Sequence, residues 1–171
     1  MNMSMPETVE VDPADAAAAE QAAQLASSGA EEARGAADGL ARALVVVVDD
    51  RVIHAAQPPT DAGDIGPLVA ELLTEAGFHV DATVGVAADE VDIRNALNTA
   101  VIGGVDLVVS IGGVGVGGRD VTPEATAELL DQPLPGISEA LRSSGLAAGA
   151  TDAGLSRGLA GVSGQTLVVN L

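Results

Sequence analysis

The spacing of hydrophobic residues changes several times along this chain, and each change marks an element. Ala43-Leu44-Val45-Val46-Val47-Val48 is unbroken and β-branched, the pattern of a strand buried on both faces. It ends at Asp49-Asp50-Arg51, and a loop with Pro58 and Pro59 follows. Gly63 to Gly77 takes helical spacing, with Leu68, Val69, Leu72 and Leu73 as its apolar face. Phe78 to Val86 alternates and predicts a second strand. Asp89 opens another helix, which carries Val91, Arg94, Ala96, Leu97 and Val101 and stops at Gly103-Gly104. Val105 to Ile111 predicts a third strand, buried like the first. A glycine-rich break follows, and Thr122-Pro123-Glu124 restarts a helix with Thr122 as N-cap and Pro123 at the first helical position. Pro135-Gly136 starts a further helix through Ala140 and Leu141 to Gly145. Leu159 to Val162 and Thr166 to Val169 predict short strands around a Ser163-Gly164 turn.

Strands alternating with helices predict an α/β sandwich with a mostly parallel sheet. Ligands in such sheets sit beyond the carboxyl ends of the strands. Asp49, Asp89 and Asp120 each follow a strand and have that address.

Composition narrows the partners. The 171 residues suit one domain plus an appendage. Residues 1–40 carry eight acids and a single base, Arg34, among runs of alanine. They predict a flexible acidic extension, with a weak helix over about Pro13 to Leu25. Phe78 is the sole aromatic, so the core is built from Val, Leu, Ile and Ala. There is no Cys, which removes disulfides and thiolate chemistry. His54 and His79 are too few for a histidine metal site, and His79 in its strand reads as structural. The formal net charge is −18, and all seven basic residues are Arg. Such a surface argues against nucleic acid and against anionic membranes. A halophilic or high-GC source would account for the same composition without a functional cause. No apolar run is long enough to span a membrane and no signal peptide is visible, so the expected setting is soluble and cytoplasmic.

The chemistry concentrates in Val105 to Thr126. Glycine stands at 112, 113, 115, 117 and 118 between a strand and a helix start. Bare backbone N–H groups there, with a helix N-terminus behind them, form an anion cradle. No Gly-Lys-Ser/Thr closes the loop, so it is not a Walker loop, and it fits the dinucleotide fingerprint poorly. Arg119 can neutralise a phosphate, and Asp120 can hold a divalent cation such as Mg2+. Asp89 is either a second carboxylate of that kind or a helix N-cap, and spacing favours the cap.

Gly112-Gly113-Val114-Gly115 with Arg119-Asp120-Val121-Thr122-Pro123-Glu124-Ala125 resembles the GGTG…RDVTPEA signature of the MoaB/MogA family of molybdenum cofactor biosynthesis proteins. The resemblance continues through Leu134-Pro135-Gly136-Ile137, Leu155-Ser156-Arg157 and Gly164-Gln165-Thr166-Leu167-Val168-Val169-Asn170-Leu171. It covers about 43–171, and its details are most similar to an actinobacterial MoaB-type branch. It implies a three-layer α/β domain assembled as a homotrimer or a hexamer of two trimers. It also implies adenylylation of molybdopterin, whose phosphate attacks the α-phosphate of ATP with magnesium while pyrophosphate leaves. Carried over by position, Asp120 and Asp89 match the family's catalytic and metal-linked carboxylates. Gly112, Gly113 and Gly115 match its phosphate loop, and Ser156-Arg157 its Ser-Arg pair near the pterin. Ser110, Arg119, Thr122 and Asp49 complete the expected binding set.

The chain departs from the pattern at identifiable points. Val114 stands where the family has Thr, Ile111 where it has a small hydroxyl residue, Ile65 where it has Ser and Ala88 where it has Pro. Gly117-Gly118 replaces bulkier residues. Relatives continue past the position of Leu171 through a loop into helices. Two expectations follow: a molybdopterin adenylyltransferase, or a catalytically weak or inactive paralogue that binds a pterin or a protein as a regulatory module.

Overall fold

A computed structural model describes residues 39–50 and 65–171. The expectations for the acidic extension, for His54 and for the Pro58-Pro59 loop fall outside that range. Six strands form one sheet: β1 (Ala41–Val48), β2 (Phe78–Val86), β3 (Leu107–Ile111), β4 (Gln132–Pro133), β5 (Ala160–Ser163) and β6 (Thr166–Asn170). Among the described residues four α-helices connect them: α1 (Ile65–Glu75), α2 (Glu90–Ile102), α3 (Thr122–Ala127) and α4 (Pro135–Ala147). The strand order is β2-β1-β3-β6-β5-β4. β2, β1, β3 and β6 run parallel, while β5 and β4 are antiparallel additions. The sheet is mostly parallel, as the alternation of strands and helices predicts.

The β-branched run of β1 is explained by its place, since it pairs with β2 on one side and β3 on the other. Its two faces feed two cores. Val46 and Val48 pack with Ile93, Leu97 and Ala100 of α2 and with Val108, Ala125 and Val168. Ala43 packs on the other face with Leu107, Val109, Ala160 and Val169, and Val69, Leu73 and Ile137 of α1 and α4 lie against them. Helices on both faces make the three layers. The chain leaves β1 toward β2 and leaves β2 toward β3, so the carboxyl ends of β1 and β3 flank a topological switch point.

Three local expectations change. α3 begins at Thr122 with Val121 as its N-cap, and no side chain caps it. The Thr122 hydroxyl instead donates to the Gly112 carbonyl at 2.8 Å, a longer-range bond that outcompetes the local cap. α4 runs on to Ala147, two residues beyond Gly145, because Gly149 at φ +91 makes the reversal. The short β4 carries no apolar pattern and is held by β5 alone.

Beneath the switch point lies a buried polar cluster. Asn170 Nδ2 donates to Ser110 Oγ at 2.8 Å and to Thr126 Oγ1 at 3.0 Å. Its Oδ1 accepts from Leu159 N at 3.0 Å, and Thr126 Oγ1 donates to Thr122 O at 2.8 Å. Ser110, Thr122, Thr126 and Asn170 are all buried. Such a network stabilises only while every member is satisfied. Asn170→Leu keeps the branched shape but strands the Leu159 amide, and is expected to cost about 3 kcal/mol. Urea denaturation measures this, and a loss under about 1 kcal/mol would mean that the cluster is dispensable.

Candidate functional site

The loop after β3 is bent by two glycines that no other residue replaces. Gly112 and Gly113 have φ +100 and +66. A Cβ on Gly112 would lie 2.6 Å from Val48 O, and one on Gly113 2.5 Å from Thr122 Oγ1. The bend presses the loop against the end of β1 on one side and the start of α3 on the other.

Five of the loop's carbonyls are taken by the protein. Gly112 O accepts from the Thr122 hydroxyl, and Gly113 O from Thr122 N at 3.1 Å. Val114 O accepts from Arg157 N at 2.7 Å and Gly115 O from Arg157 Nε at 2.7 Å. Gly117 O accepts from Asp120 N at 3.0 Å. The amides of Gly113, Val114, Gly115 and Val116, by contrast, donate to no group among the described residues. A run of N–H groups with fixed carbonyls and no internal acceptor is an anion nest. Beside it opens a cleft of about 400 Å³ lined by these residues with Asp120, Asp152, Ala153, Leu155, Ser156 and Leu171. Across Ser156 and Leu171 a hollow of about 220 Å³ continues toward Ser138, Leu141, Arg142 and Asn170.

Asp120 stands at the cleft edge and closes the loop on itself. Its Oδ2 accepts from Gly117 N at 2.7 Å, and a Cβ on Gly115 would come within 2.8 Å of the same oxygen. Asp120 Oδ1 has no partner among the described residues. Asp89 is the N-cap of α2, its Oδ1 accepting from Val91 N at 2.9 Å and Asp92 N at 3.2 Å. That leaves Oδ2 uncommitted among the described residues, and Asp89 does not line the cleft. The two acids are linked through Arg119, whose guanidinium forks onto Asp50 with Nε and Nη2 each 2.5 Å from a carboxylate oxygen. Asp50 raises the Arg119 pKa through that bond and its charge, and Asp89 adds a smaller push in the same direction.

Arg157 works as a strap. Besides its bonds to Val114 and Gly115, it donates to Asp120 O and pairs with Glu124. The bond to Arg157 holds the Glu124 carboxyl below its usual range, and Glu124 raises Arg157 in return. Ser156 Oγ accepts from Gly158 N at 3.2 Å and borders both cavities. Ser110 and Thr122 have no exposed surface and support the loop from below. Asp49 extends β1 by donating N–H to Val86 O at 2.9 Å. The described residues contain no cluster of three or more His, Cys, Asp or Glu positioned to hold a metal. His79 lies in β2 with its Nε2 3.7 Å from Asp81 Oδ1, at the opposite end of the sheet.

Sequence reasoning missed Asp50, Asn170 and Glu124 as parts of the site. For Asp50 a signal was there: it shares strand parity with Val46 and Val48, the face that α2 covers. Its Oδ1 accordingly meets Ala88 N, at 3.1 Å, just before α2. Asn170 and Glu124 carry no comparable signal, because their partners lie 11 to 60 and 33 residues away along the chain.

Comparison with known proteins meets this geometry from outside. The family profile described as "probable molybdopterin binding domain" matches residues 44–171. A molybdenum cofactor biosynthesis bifunctional protein of Synechococcus elongatus is 41% identical over 103 residues, covering 60% of this chain and 31% of that protein. A molybdopterin adenylyltransferase of Helicobacter pylori is 37% identical over 102 residues, covering 58% and 55%. The chain thus spans under two thirds of the length of these curated relatives. The crystal structure of a molybdopterin biosynthesis protein from Mycobacterium abscessus superposes with a TM-score of 0.70 at 64% identity, covering 76% of this chain and 79% of that one. The profile begins inside β1 and takes in every strand, the glycine loop and the cleft, and the chain belongs to the molybdopterin-binding domain family it describes.

Proposed function

We propose that this chain acts in molybdenum cofactor biosynthesis and adenylylates molybdopterin with ATP. The observation that carries the reading is the run of uncommitted amides from Gly113 to Val116 along a cleft edged by Asp120. The reaction needs the molybdopterin phosphate oxygen to bond to the α-phosphorus of ATP while the bond to pyrophosphate breaks. That chemistry is dominated by positioning and charge neutralisation. In this reading the nest holds phosphoryl oxygens, and Arg119, paired with Asp50, fixes the corner that carries Asp120. Ser156 borders the pterin, Asp49 belongs to the rim, and Ser110, Thr122 and Arg157 hold the loop in shape. The name of the Helicobacter pylori relative supports the same activity.

Magnesium fits the donors present. Asp120 Oδ1 and Asp89 Oδ2 are hard oxygens with no partner among the described residues. Mg2+ is commonly held by one or two carboxylates plus substrate phosphates, so a larger protein cluster is not needed. Bound there, it would neutralise phosphate charge and polarise the phosphoryl group. The compartment in this reading is the cytoplasm; no helix among the described residues is long and apolar enough to cross a membrane.

Val114 favours a second reading, a weak or inactive paralogue that binds a pterin or a protein. It lines the cleft and offers a methyl where the resemblance implies a hydroxyl. Incubation with molybdopterin, ATP and magnesium separates the two, since no pyrophosphate release supports the paralogue. Val114→Thr is expected to tighten ATP binding about tenfold, the worth of one charged hydrogen bond; calorimetry showing equal affinity would remove position 114 from phosphate contact. Asp120→Asn keeps the acceptor for Gly117 N, so the loop should hold while turnover falls at least about a hundredfold. Unchanged pyrophosphate release would take Asp120 out of the reaction. The reading includes a homotrimer or a hexamer of two trimers, and the exposed Ile65, Leu68 and Leu72 on α1 are consistent with an association surface. Sedimentation equilibrium at a single-chain mass would overturn that part.

A further inference from the structure

The two acids of the proposed reaction stand on separate segments. Asp89 lies in the tight turn between β2 and α2, and Asp120 at the corner that ends the glycine loop. Among the described residues no hydrogen bond runs directly from the 87–89 turn to the 117–120 corner. One carboxylate reaches both. Asp50 Oδ1 accepts from Ala88 N at 3.1 Å and from Arg119 Nη2 at 2.5 Å, and Oδ2 accepts from Arg119 Nε at 2.5 Å. Ala88 and Arg119 immediately precede Asp89 and Asp120. We propose that Asp50 is a positioning residue that locks the Ala88-Asp89 turn and the Arg119-Asp120 corner into the single arrangement in which both acids serve one site.

The chemistry of the contact suits this task better than a stability role. The Arg119 and Asp50 side chains are 65% and 40% exposed, and an ion pair in that setting contributes little to folding. A bidentate fork, however, fixes direction as well as distance. Both neighbours then inherit a fixed backbone. Asp89 N is held on Ala87 O at 2.8 Å and Asp120 N on Gly117 O at 3.0 Å, so neither acid can swing without breaking its turn. Asp50 acts on the two acids through Ala88 and Arg119. A misplacement of about 1 Å at such acids is enough to slow a reaction about a hundredfold.

The consequence for rate rests on the adenylyl-transfer reading, and the consequence for structure does not. Pyrophosphate release is measured with molybdopterin, ATP and magnesium for the full chain, for Asp50→Asn, for Arg119→Gln and for the double variant. Asp50→Asn is isosteric and is expected to leave Tm within a few degrees. It should lower kcat about ten- to a hundredfold while KM for ATP moves less than about threefold. Because Arg119→Gln already cuts one of the two arms through which Asp50 acts, the double variant should lose less than the product of the two single losses. Losses that multiply, or an unchanged kcat in Asp50→Asn, overturn the proposal. Amide hydrogen exchange on the free protein gives the second readout. In Asp50→Ala the Ala88 amide should exchange at least about tenfold faster, while amides in the centre of the sheet, such as Val46 and Val108, keep their rates. Unchanged exchange at Ala88 overturns the proposal even in an active enzyme. If the unmodified chain releases no pyrophosphate, adenylyl transfer fails as its function, and the exchange result alone decides the role of Asp50.

Discussion

The side chain of Asn170 is the hinge pin of the structure. Its three polar contacts reach the end of β3 at Ser110, the last turn of α3 at Thr126 and the approach to β5 at Leu159. From Thr126 the chain of bonds runs to Thr122 O, and from the Thr122 hydroxyl to Gly112 O. The first bend of the loop is therefore tied to the last residue of β6 by buried and partly buried hydrogen bonds. In a dry interior these bonds are strong and their loss is costly. The hydrophobic cores hold the sheet together, but this network sets the angle at which the loop leaves it.

Above that network the protein sorts its polar groups by side. Carbonyls of the loop face Thr122, Arg157 and Asp120, and amides are left over for a ligand. Arg157 turns inward to grip backbone oxygens and Glu124. Arg119 turns sideways to Asp50. The cations of the site are thus used first to shape it. Under the proposed function an anion would meet dipoles already in place, the arrangement that needs least reorganisation when charge develops.

Much of this could be read along the chain. The six-residue run from Ala43 to Val48, the alternation of β2 and the glycine cluster gave the layers, the parallel sheet and the loop in their places. Asp89 shows as an N-cap because capping is local and needs only the next three residues. What stayed hidden is long-range. Thr122 next to Pro123 reads as a cap, yet its hydroxyl is claimed by a carbonyl ten residues back. Ser110 reads as a hydroxyl near a phosphate, yet Asn170 buries it. Arg157 reads as a ligand group, and only the folded chain brings Glu124 and Gly115 beneath it. Local spacing carries the elements; it cannot carry which polar group wins a partner that arrives through tertiary folding.

The neutralised arginines also bear on how a ligand arrives. With a net charge of −18, the chain as a whole repels a phosphate at long range. Arg119 and Arg157 cannot reverse that field, since each is matched by its own carboxylate. At close range the loop amides supply attraction. Dissolved salt screens the distant repulsion within about 8 Å at physiological strength and leaves the contact dipoles almost untouched. Under the proposed adenylyl transfer, capture of a nucleotide should therefore speed up as ionic strength rises, the reverse of ordinary electrostatic steering, and a stopped-flow salt series would read the sign directly.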